Sequence, residues 1–369
     1  MIGKTPGSHP SMSTRLVITG ASGNVGTALL QRLADAGGYT VTGVTRRKPP
    51  ESGIYRSAQW RQLDLAEHDA TTRLQAVMGD ADAVVHLAWG FQPTRNVQYL
   101  DAVGVGGTRA VLRAADVAGV GQLVHMSSVG TYAAGRYGQY VDETWSTAGI
   151  DTSPYSRAKS AAEALLDDYE RSHRDGLTIA RMRPGFIVQR SAAGGLRRYT
   201  LPAFIEPRWL RFLPVLPLDR GLVVPIIHAD DVADAIARTV ERRAAGPFNL
   251  MAEPPVRRDD LAEALGAYPV HVPSSLLRPA VALSWRARLQ PMDEGWLDMA
   301  FSVPLLDTGR AQSELGWKPV RTSIEALVDM GEGFKNCADT ESPVLSYRGP
   351  LTSVLRDLRA GPITDRKVP

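Results

Sequence analysis

The chain has 369 residues, enough for two or three domains of ordinary size. Hydrophobic residues make up 44% of it and charged residues 22%, which excludes a fibrous or wholly disordered protein. Lysine and arginine (42) barely exceed aspartate and glutamate (39), and no dense basic run occurs, so no nucleic acid partner is expected.

Cysteine, histidine and apolar patterns indicate the compartment and the metal content. Cys337 is the single cysteine and cannot form an intramolecular disulfide, which is typical of a reducing compartment. The seven histidines show no metal-ligand spacing, so no metal site is predicted. No apolar run reaches the ~18 residues of a membrane span, and the N-terminus lacks the apolar core of a secretory signal. These patterns predict a soluble cytoplasmic protein whose partner is a small molecule.

The first 190 residues alternate between short apolar strands and amphipathic helices, after a Gly-, Pro- and Ser-rich stretch at residues 1–13 that is predicted to be a disordered leader. The predicted strands are residues 15–19, 39–45, 60–63, 83–88, 123–127 and 178–182, and the predicted helices are residues 28–36, 108–118 and 156–173. This alternation is typical of βαβ units. We therefore predict an α/β fold over residues 14–190, with a doubly wound parallel sheet covered on both faces.

The composition changes after Pro184. Residues 191–222 carry four prolines among large apolar side chains, and together with residues 252–335 they are predicted to form a smaller mixed α/β substrate lobe. Residues 223–251 are predicted to return to the sheet, through strands at 223–227 and 248–251. Helices are predicted at 259–265 and 323–330. Residues 336–369 lack a periodic pattern and are predicted to be a mobile tail.

The sequence TGASGNVG, at residues 19–26, joins the first predicted strand to the first helix. Gly20 allows a tight turn, Gly23 permits backbone approach to a pyrophosphate, and Gly26 lets the helix pack closely on the strand. The first amides of the helix would then face the phosphates. The motif predicts a dinucleotide-binding turn, and an ordinary glycine-rich connection is the alternative.

The end of the second predicted strand distinguishes NAD from NADP. An acid there binds the ribose 2′-hydroxyl of NAD, whereas an arginine accommodates the 2′-phosphate of NADP. Thr45 stands at that position and Arg46 and Arg47 follow, which favours NADP, with NAD possible. The alternative without a cofactor role is a solvated basic loop. Asp64 follows the third strand, where its carboxylate would accept from an adenine amino group or cap the next turn.

Tyr155 and Lys159 lie four residues apart, on one face of a predicted helix. A lysine cation near a phenol favours the phenolate and brings its pKa towards the working pH, as acid–base catalysis requires. Ser127 and Ser128 end the preceding strand, where a serine hydroxyl would hydrogen bond to a substrate oxygen.

Ordered motifs over residues 15–335 resemble extended short-chain dehydrogenases/reductases of the NAD-dependent epimerase/dehydratase family. Besides TGASGNVG, the motifs are DL at 64–65, HLAW at 86–89, SSVGTY at 127–132, YSRAK at 155–159, RPG at 183–185, IIHADDVADAI at 226–236, GPFNL at 246–250 and LGWKP at 315–319. The resemblance implies a Rossmann domain with a small substrate lobe. It also implies possible homodimers through the helices that follow Gly104 and Tyr155.

The resemblance assigns site residues by position. It implies that Tyr155 is the acid–base, that Lys159 holds the nicotinamide ribose, and that Ser128 rather than Ser127 orients the substrate oxygen. The implied cofactor contacts are Gly20, Ser22, Gly23, Asn24, Val25, Gly26, Arg46, Arg47, Asp64, Leu65, Leu87, Ala88, Trp89, Tyr155, Lys159, Pro184 and Gly185. The implied substrate contacts are Trp89, Ser128 and Tyr132.

Two departures from the family bear on the substrate. Gly104 stands where the family has an asparagine, so any bridging by that side chain must come from elsewhere. Val224 stands where sugar-nucleotide enzymes of the family often carry a diphosphate-binding arginine. A nucleotide diphosphate would therefore need another cation here, such as Arg197 or Arg198.

The leading hypothesis is an NADP-dependent oxidoreductase. Hydride would pass between the nicotinamide and a carbonyl or secondary alcohol of a small metabolite, while Tyr155 transfers the proton. A nucleotide-sugar epimerase or dehydratase that retains its NAD(P) is one alternative. A non-catalytic NADP-binding sensor is another, against which the complete set of Ser128, Tyr155 and Lys159 counts.

Overall fold

The computed structural model describes residues 13–90, 96–195, 215–287, 289–290, 292–338 and 340–346. The predicted leader up to residue 12, Arg197 and Arg198, and the predicted tail beyond residue 346 lie outside the described residues. Within the described part of the chain, no helix is long and apolar enough to cross a membrane.

The described strands are β1 (Thr14–Thr19), β2 (Tyr39–Thr45), β3 (Ala58–Gln62), β4 (Ala83–His86), β5 (Gln122–Met126), β6 (Tyr140–Val141), β7 (Thr178–Pro184), β8 (Phe186–Val188), β9 (Val215–Leu218), β10 (Val223–Val224), β11 (Ile226–His228), β12 (Gly246–Leu250), β13 (Val256–Arg257), β14 (Tyr268–His271) and β15 (Leu305–Leu306). The described α-helices are α1 (Asn24–Ala36), α2 (Ala70–Met78), α3 (Val97–Asp101), α4 (Gly107–Val117), α5 (Pro154–Ser172), α6 (Ala229–Arg242), α7 (Arg258–Leu265), α8 (Ser274–Arg286), α9 (Glu294–Ser302), α10 (Gly309–Leu315) and α11 (Ser323–Lys335). A π-helical segment, Ala102–Gly106, joins α3 to α4.

Seven strands form one parallel sheet in the order β12-β7-β5-β4-β1-β2-β3. This confirms the predicted α/β fold with a doubly wound sheet. The chain order reverses between β1 and β4, and in open α/β sheets ligands bind beyond the carboxyl ends of the strands at such a point. The glycine-rich turn follows β1 directly, so the topology places it at this crevice.

Helices cover both faces of the sheet. The helices α1 and α6 pack on one face, and α2, α4 and α5 pack on the other. Ile18 and Val85 belong to the first layer and Val17 and Val84 to the second, because successive side chains of a strand point to opposite faces. Both faces of the sheet are therefore buried away from solvent, which explains the continuous apolar runs of these strands.

The predicted strand at residues 223–227 does not join the central sheet. It divides at Pro225, where β10 pairs with β13 and β11 pairs with β8 in separate two-stranded sheets. Proline has no N–H to donate to a strand partner, so one continuous strand through this position is disfavoured. The predicted strand at 248–251 does return to the sheet, as β12 beside β7.

Part of the predicted tail, residues 340–346, packs against the rest of the protein. Ser342 is fully buried, and its Oγ donates a hydrogen bond to the carbonyl oxygen of Ser22 at 2.6 Å. The Tyr55 hydroxyl donates to Thr340 Oγ1 at 3.0 Å. The segment 340–346 therefore lies against the glycine-rich turn. It has no periodic pattern because it is held by single contacts to distant residues.

A chain truncated after residue 336 should be less stable than one truncated after Ser346. The shorter chain loses the buried Leu345 side chain and the Ser342 hydrogen bond, together worth about 2 kcal/mol or more. Urea denaturation of both truncations measures the difference, and the chain ending at Ser346 controls for loss of the last residues. Equal midpoints would contradict a stabilising role for the segment.

Two histidines lie side by side in the sheet. His86 on β4 and His125 on β5 are register partners with ring centroids 5.3 Å apart. His86 Nδ1 hydrogen bonds to Thr19 Oγ1 at 2.7 Å, whereas neither ring nitrogen of His125 has a hydrogen-bond partner among the described residues. Burial lowers the pKa of His86 to about 3 and the pKa of His125 well below its usual value. Both rings are therefore neutral in the folded protein.

Acid should unfold the protein partly through this pair. Between about pH 6.5 and pH 3 the unfolded chain binds protons that the folded histidines do not, so stability is full above this range and falls as the pH drops. Each histidine adds about 1.4 kcal/mol per pH unit to that slope. Urea denaturation at several pH values should show a smaller slope for His125→Phe. The same change in slope for His68→Gln, at an exposed histidine, would refute the assignment.

Candidate functional site

The glycine-rich turn forms a concave backbone surface, and side chains in place of its glycines would clash with neighbouring backbone. Gly20 has a φ of +73°, and a Cβ there would lie 2.8 Å from the backbone nitrogen of Ala88. A Cβ on Gly26 would lie 2.5 Å from the carbonyl oxygen of Gly20. The backbone nitrogen of Leu87 donates to the carbonyl oxygen of Thr19 at 3.0 Å, which holds the end of β4 against the turn. This close approach of backbone is the geometry that a pyrophosphate requires.

The N-terminus of α1 opens toward this concave surface. The helix begins at Asn24, after Gly23, with no acidic residue in its first turn, so its amide groups favour an anion. The Asn24 side chain itself accepts a hydrogen bond from Gln189 Nε2 at 2.6 Å and donates to the carbonyl oxygen of Ile187 at 3.2 Å. Val25 is buried against the sheet. The turn and helix therefore fit the pyrophosphate of a dinucleotide, with the Asn24 side chain tying the turn to the segment after β7.

A polar chain lies where the adenosine end of a dinucleotide would be expected. Arg46 Nη1 donates to the Tyr99 hydroxyl at 2.6 Å, and that hydroxyl donates to Asp64 Oδ2 at 3.2 Å. Ser22 and Thr45 share a hydrogen bond of 3.1 Å between the turn and the end of β2. The structure thus brings together Ser22, Arg46 and Asp64, three predicted cofactor residues. The sequence analysis missed Tyr99, which links Arg46 to Asp64 although it lies 53 residues from the first and 35 from the second.

The other predicted cofactor residues surround the same edge of the sheet. Arg47 is half-buried next to Arg46, and Leu65 is buried beside α4. Pro184 ends β7, and a Cβ on Gly185 would lie 2.5 Å from the carbonyl oxygen of Pro225. Gly185 therefore permits the close approach of the β7–β8 connection to Pro225. No group of three or more His, Cys, Asp or Glu side chains in the described ranges is arranged to hold a metal ion.

The residues predicted to act in acid–base chemistry lie together at the carboxyl end of β5. Ser153 caps α5, which places Tyr155 in its first turn and Lys159 one turn further. The Ser128 and Tyr155 side chains are hydrogen bonded to each other. Lys159 Nζ donates to the carbonyl oxygen of Met126 at 2.8 Å. The spacing of these residues in the sequence therefore leads to one contiguous cluster.

The electrostatics of the pair differ from the expectation. Burial raises the pKa of Tyr155 to about 12, and the hydrogen bond with Ser128 only partly opposes this. Burial also lowers the pKa of Lys159 well below its usual value, opposed by the negative charge of Glu163. Lys159 Nζ is 5.9 Å from the centroid of the Tyr155 ring. The protein alone therefore keeps the proton on Tyr155.

Aromatic and apolar side chains line the site around the phenol. The Trp89 ring meets Tyr155 edge-on at 6.4 Å, and the Trp296 ring lies 5.3 Å from it. Met299 is close to the same ring across Gly130. Trp296 and Met299 come from α9 in the C-terminal part of the chain. No sequence signal connected them to Tyr155, because the contact spans about 140 residues and depends on how the lobe docks.

Tyr132, a predicted substrate contact, is enclosed by other protein groups in this structure. It is fully buried, and its hydroxyl donates to Asn249 Oδ1 at 2.7 Å and accepts from Arg183 Nη1 at 3.1 Å. Arg183 also pairs with Glu163, to which Ser127 Oγ donates at 2.6 Å. With no exposed surface and a hydroxyl already engaged, Tyr132 supports the loop in the structure without ligand.

Comparisons with known proteins agree with this architecture. The family model described as "NAD dependent epimerase/dehydratase family" matches residues 16–250. The chain is 24% identical over 340 residues to a UDP-glucose 4-epimerase of Streptomyces lividans, covering 87% of this chain and 96% of that relative. It is 29% identical over 239 residues to an L-arabinose 1-dehydrogenase (NAD(P)(+)) of Haloferax volcanii, covering 59% of this chain and 89% of that relative.

A solved structure shows the same fold. It is a UDP-glucose-4-epimerase from Stenotrophomonas maltophila with bound NAD, which aligns with a TM-score of 0.67 and 21% identity over 88% of this chain and 98% of its own.

An uncharacterised protein of Mycobacterium bovis is 27% identical over 323 residues, which span 85% of this chain and 29% of that much longer relative. The family model covers more than half of the chain, and the parallel sheet flanked by helices agrees with it. The chain belongs to the NAD dependent epimerase/dehydratase family.

Proposed function

We propose that the protein is an NADP-dependent oxidoreductase that interconverts a carbonyl and a secondary alcohol of a small metabolite. The observation that carries this proposal is the Ser128–Tyr155 hydrogen bond beside the buried Lys159, within a wall of aromatic and apolar side chains. A proton donor and a second hydroxyl at one point are what a carbonyl oxygen needs during reduction.

The residues of the site have distinct roles in this reaction. When bound, the nicotinamide supplies or accepts the hydride. Tyr155 donates the proton to the substrate oxygen in reduction and accepts it in oxidation. Ser128 holds the same oxygen by a hydrogen bond, and the Lys159 cation stabilises the phenolate left on Tyr155. The turn at Gly20 and the N-terminus of α1 would hold the pyrophosphate.

The surroundings of the site support a small substrate without a nucleotide. Val224, at the position of the family's diphosphate-binding arginine, is buried in β10 and packs with Leu222, Ile226 and Val256. A buried valine offers no charge to a diphosphate. The L-arabinose 1-dehydrogenase relative is also named as an oxidoreductase of a free sugar.

Tyr155→Phe should reduce kcat by about 10²- to 10⁴-fold, because the proton donor is removed while the ring packing is kept. NADPH consumption in the presence of a panel of aldehydes and ketones first identifies a compound that the natural chain turns over. Tyr268→Phe, at a tyrosine 76% exposed, serves as the control and should keep full activity. Full turnover by Tyr155→Phe would overturn the proposed mechanism.

Arg46→Ala should weaken NADPH binding by about 10-fold or more and leave NADH binding unchanged, because a charge-assisted contact to a 2′-phosphate is lost. Calorimetric titration with both cofactors, after absorbance has excluded pre-bound cofactor, measures the two affinities. Lys48→Ala removes a cation of the same loop that is exposed and paired with Glu51, so it should have little effect. Equal losses for NADPH and NADH would argue against NADP specificity.

A nucleotide-sugar epimerase or dehydratase is the second candidate, favoured by the Streptomyces relative and by the solved epimerase of the same fold. Such an enzyme would retain its cofactor through dialysis and convert UDP-glucose or dTDP-glucose without net consumption of NADPH. Product analysis of both sugars separates the two candidates. Conversion of either sugar would replace the oxidoreductase proposal.

A further inference from the structure

Lys159 is held by contacts that its position in the sequence does not reveal. Its Nζ lies 3.5 Å from the centroid of the Trp89 ring and 2.8 Å from the carbonyl oxygen of Met126. The side chain is 2% exposed, and the Met126 oxygen is its one hydrogen-bond acceptor within the described residues. One carbonyl does not replace the hydration of an ammonium group, so the face of the indole is the second source of stabilisation.

The indole fits beside Lys159 because residue 104 has no side chain. A Cβ built on Gly104 would lie 3.0 Å from Cζ2 and 3.1 Å from Cη2 of Trp89. Gly104 belongs to the π-helical segment before α4, and Thr108 Oγ1 donates to its carbonyl oxygen at 2.8 Å. A π-helical insertion of this kind often marks a functional site. The asparagine that the family carries at this position would bring its Cβ closer to the Trp89 ring than an ordinary van der Waals contact.

Other rings fix the orientation of the indole. His125 meets the Trp89 ring edge-on at 6.4 Å, and Tyr155 meets it edge-on at the same distance. The indole is therefore enclosed by β5, by α5 and by the π-helical segment, with its face toward the ammonium group. An aromatic ring in this arrangement presents its negative face to the cation.

We propose that Trp89 is the positioning residue for Lys159: its indole face holds the ammonium group beside Tyr155, and Gly104 provides the space for the indole. The inference rests on the proposed function only for its catalytic consequence. The contact itself belongs to the protein without ligand, so it can be tested without turnover. It also accounts for one departure from the family, the missing side chain at residue 104, because the Trp89 ring packs against that position.

The charges that face Lys159 define what the test should measure. His86 on β4 and His125 on β5 are kept neutral by burial, and Glu163 on α5 is the anion one turn away. Tyr155, on the same helix, stays protonated. Burial favours the neutral amine and the indole face favours the cation. Loss of the ring should therefore move the pKa of Lys159 further down.

The experiment measures the pKa of Lys159 in the protein without cofactor, by carbon NMR of Cε-labelled lysine. The chain has only six lysines, and Lys159→Gln assigns the signal. We expect Trp89→Leu to lower the Lys159 pKa by at least one unit, a tenfold change in its protonation equilibrium, and Trp89→Phe to lower it less. An unchanged pKa, or a rise toward the ordinary value from entry of water, would overturn the proposal.

A second pair of variants tests the role of Gly104, and it keeps the proposal testable if Trp89→Leu does not fold. Gly104→Ala should lower the pKa of Lys159 in the natural chain, because the new methyl group displaces the indole. The same substitution should have little effect in Trp89→Phe, whose smaller ring leaves room for it. Equal effects in both backgrounds would show that residue 104 does not act through the ring. Thermal melts confirm that each variant is folded.

Activity then separates this inference from the proposed function. If a carbonyl substrate has been found, kcat should follow the Lys159 pKa across the variants, with the alkaline limb of the pH profile moving to lower pH in Trp89→Leu. A shifted Lys159 pKa without any carbonyl turnover would support the contact and refute the oxidoreductase. Turnover whose pH profile is the same in all variants would refute the positioning role and leave the oxidoreductase intact.

Discussion

A buried ion pair between Glu163 and Arg183 is the interaction on which the site depends. Two hydrogen bonds of 2.9 and 2.8 Å join the two side chains, at the point where α5 crosses the end of β7. Ser127 donates to the same carboxylate, and Tyr132 and Asn249 complete the network from the β5 loop and β12. Removal of one partner from a buried pair of this kind typically costs about 3–5 kcal/mol, because the other charge is left uncompensated. The network fixes the loop that carries Ser128 relative to the helix that carries Tyr155.

Features that depend on neighbouring residues could be predicted from the sequence. The strands of the sheet are short apolar runs because both of their faces are dry, so their bounds agree with the predicted ones within about two residues. Gly20 and Gly26 could be assigned because tight turns and close helix packing require glycine. The clustering of Tyr155, Lys159 and Ser128 follows from helical spacing and from the common edge at which parallel strands end.

Features that depend on distant contacts could not be predicted. The link from Arg46 through Tyr99 to Asp64, the docking of Trp296 on Tyr155, and the packing of Ser342 on the turn each join segments with no shared pattern. The sequence showed that residue 104 departs from the family, but not that the Trp89 ring fills the space. The direction of the Tyr155 pKa was also missed, because burial depends on how the lobe closes over α5.

Burial moves the pKa values of Tyr155 and Lys159 in opposite directions, and this bears on the acid–base role that we propose for them. The raised pKa of Tyr155 keeps its proton in place, and the lowered pKa of Lys159 weakens the charge that would draw the proton off. A phenol in this state is protonated, as a donor to a carbonyl oxygen must be, but it is a weaker acid than a free phenol. Abstraction of a proton from an alcohol instead requires the phenolate, which here needs a further positive charge close by, such as that of an oxidised nicotinamide. Under the proposed function, the protein without ligand therefore holds Tyr155 in the protonated form, and proton abstraction from an alcohol depends on the charge that the ligand brings.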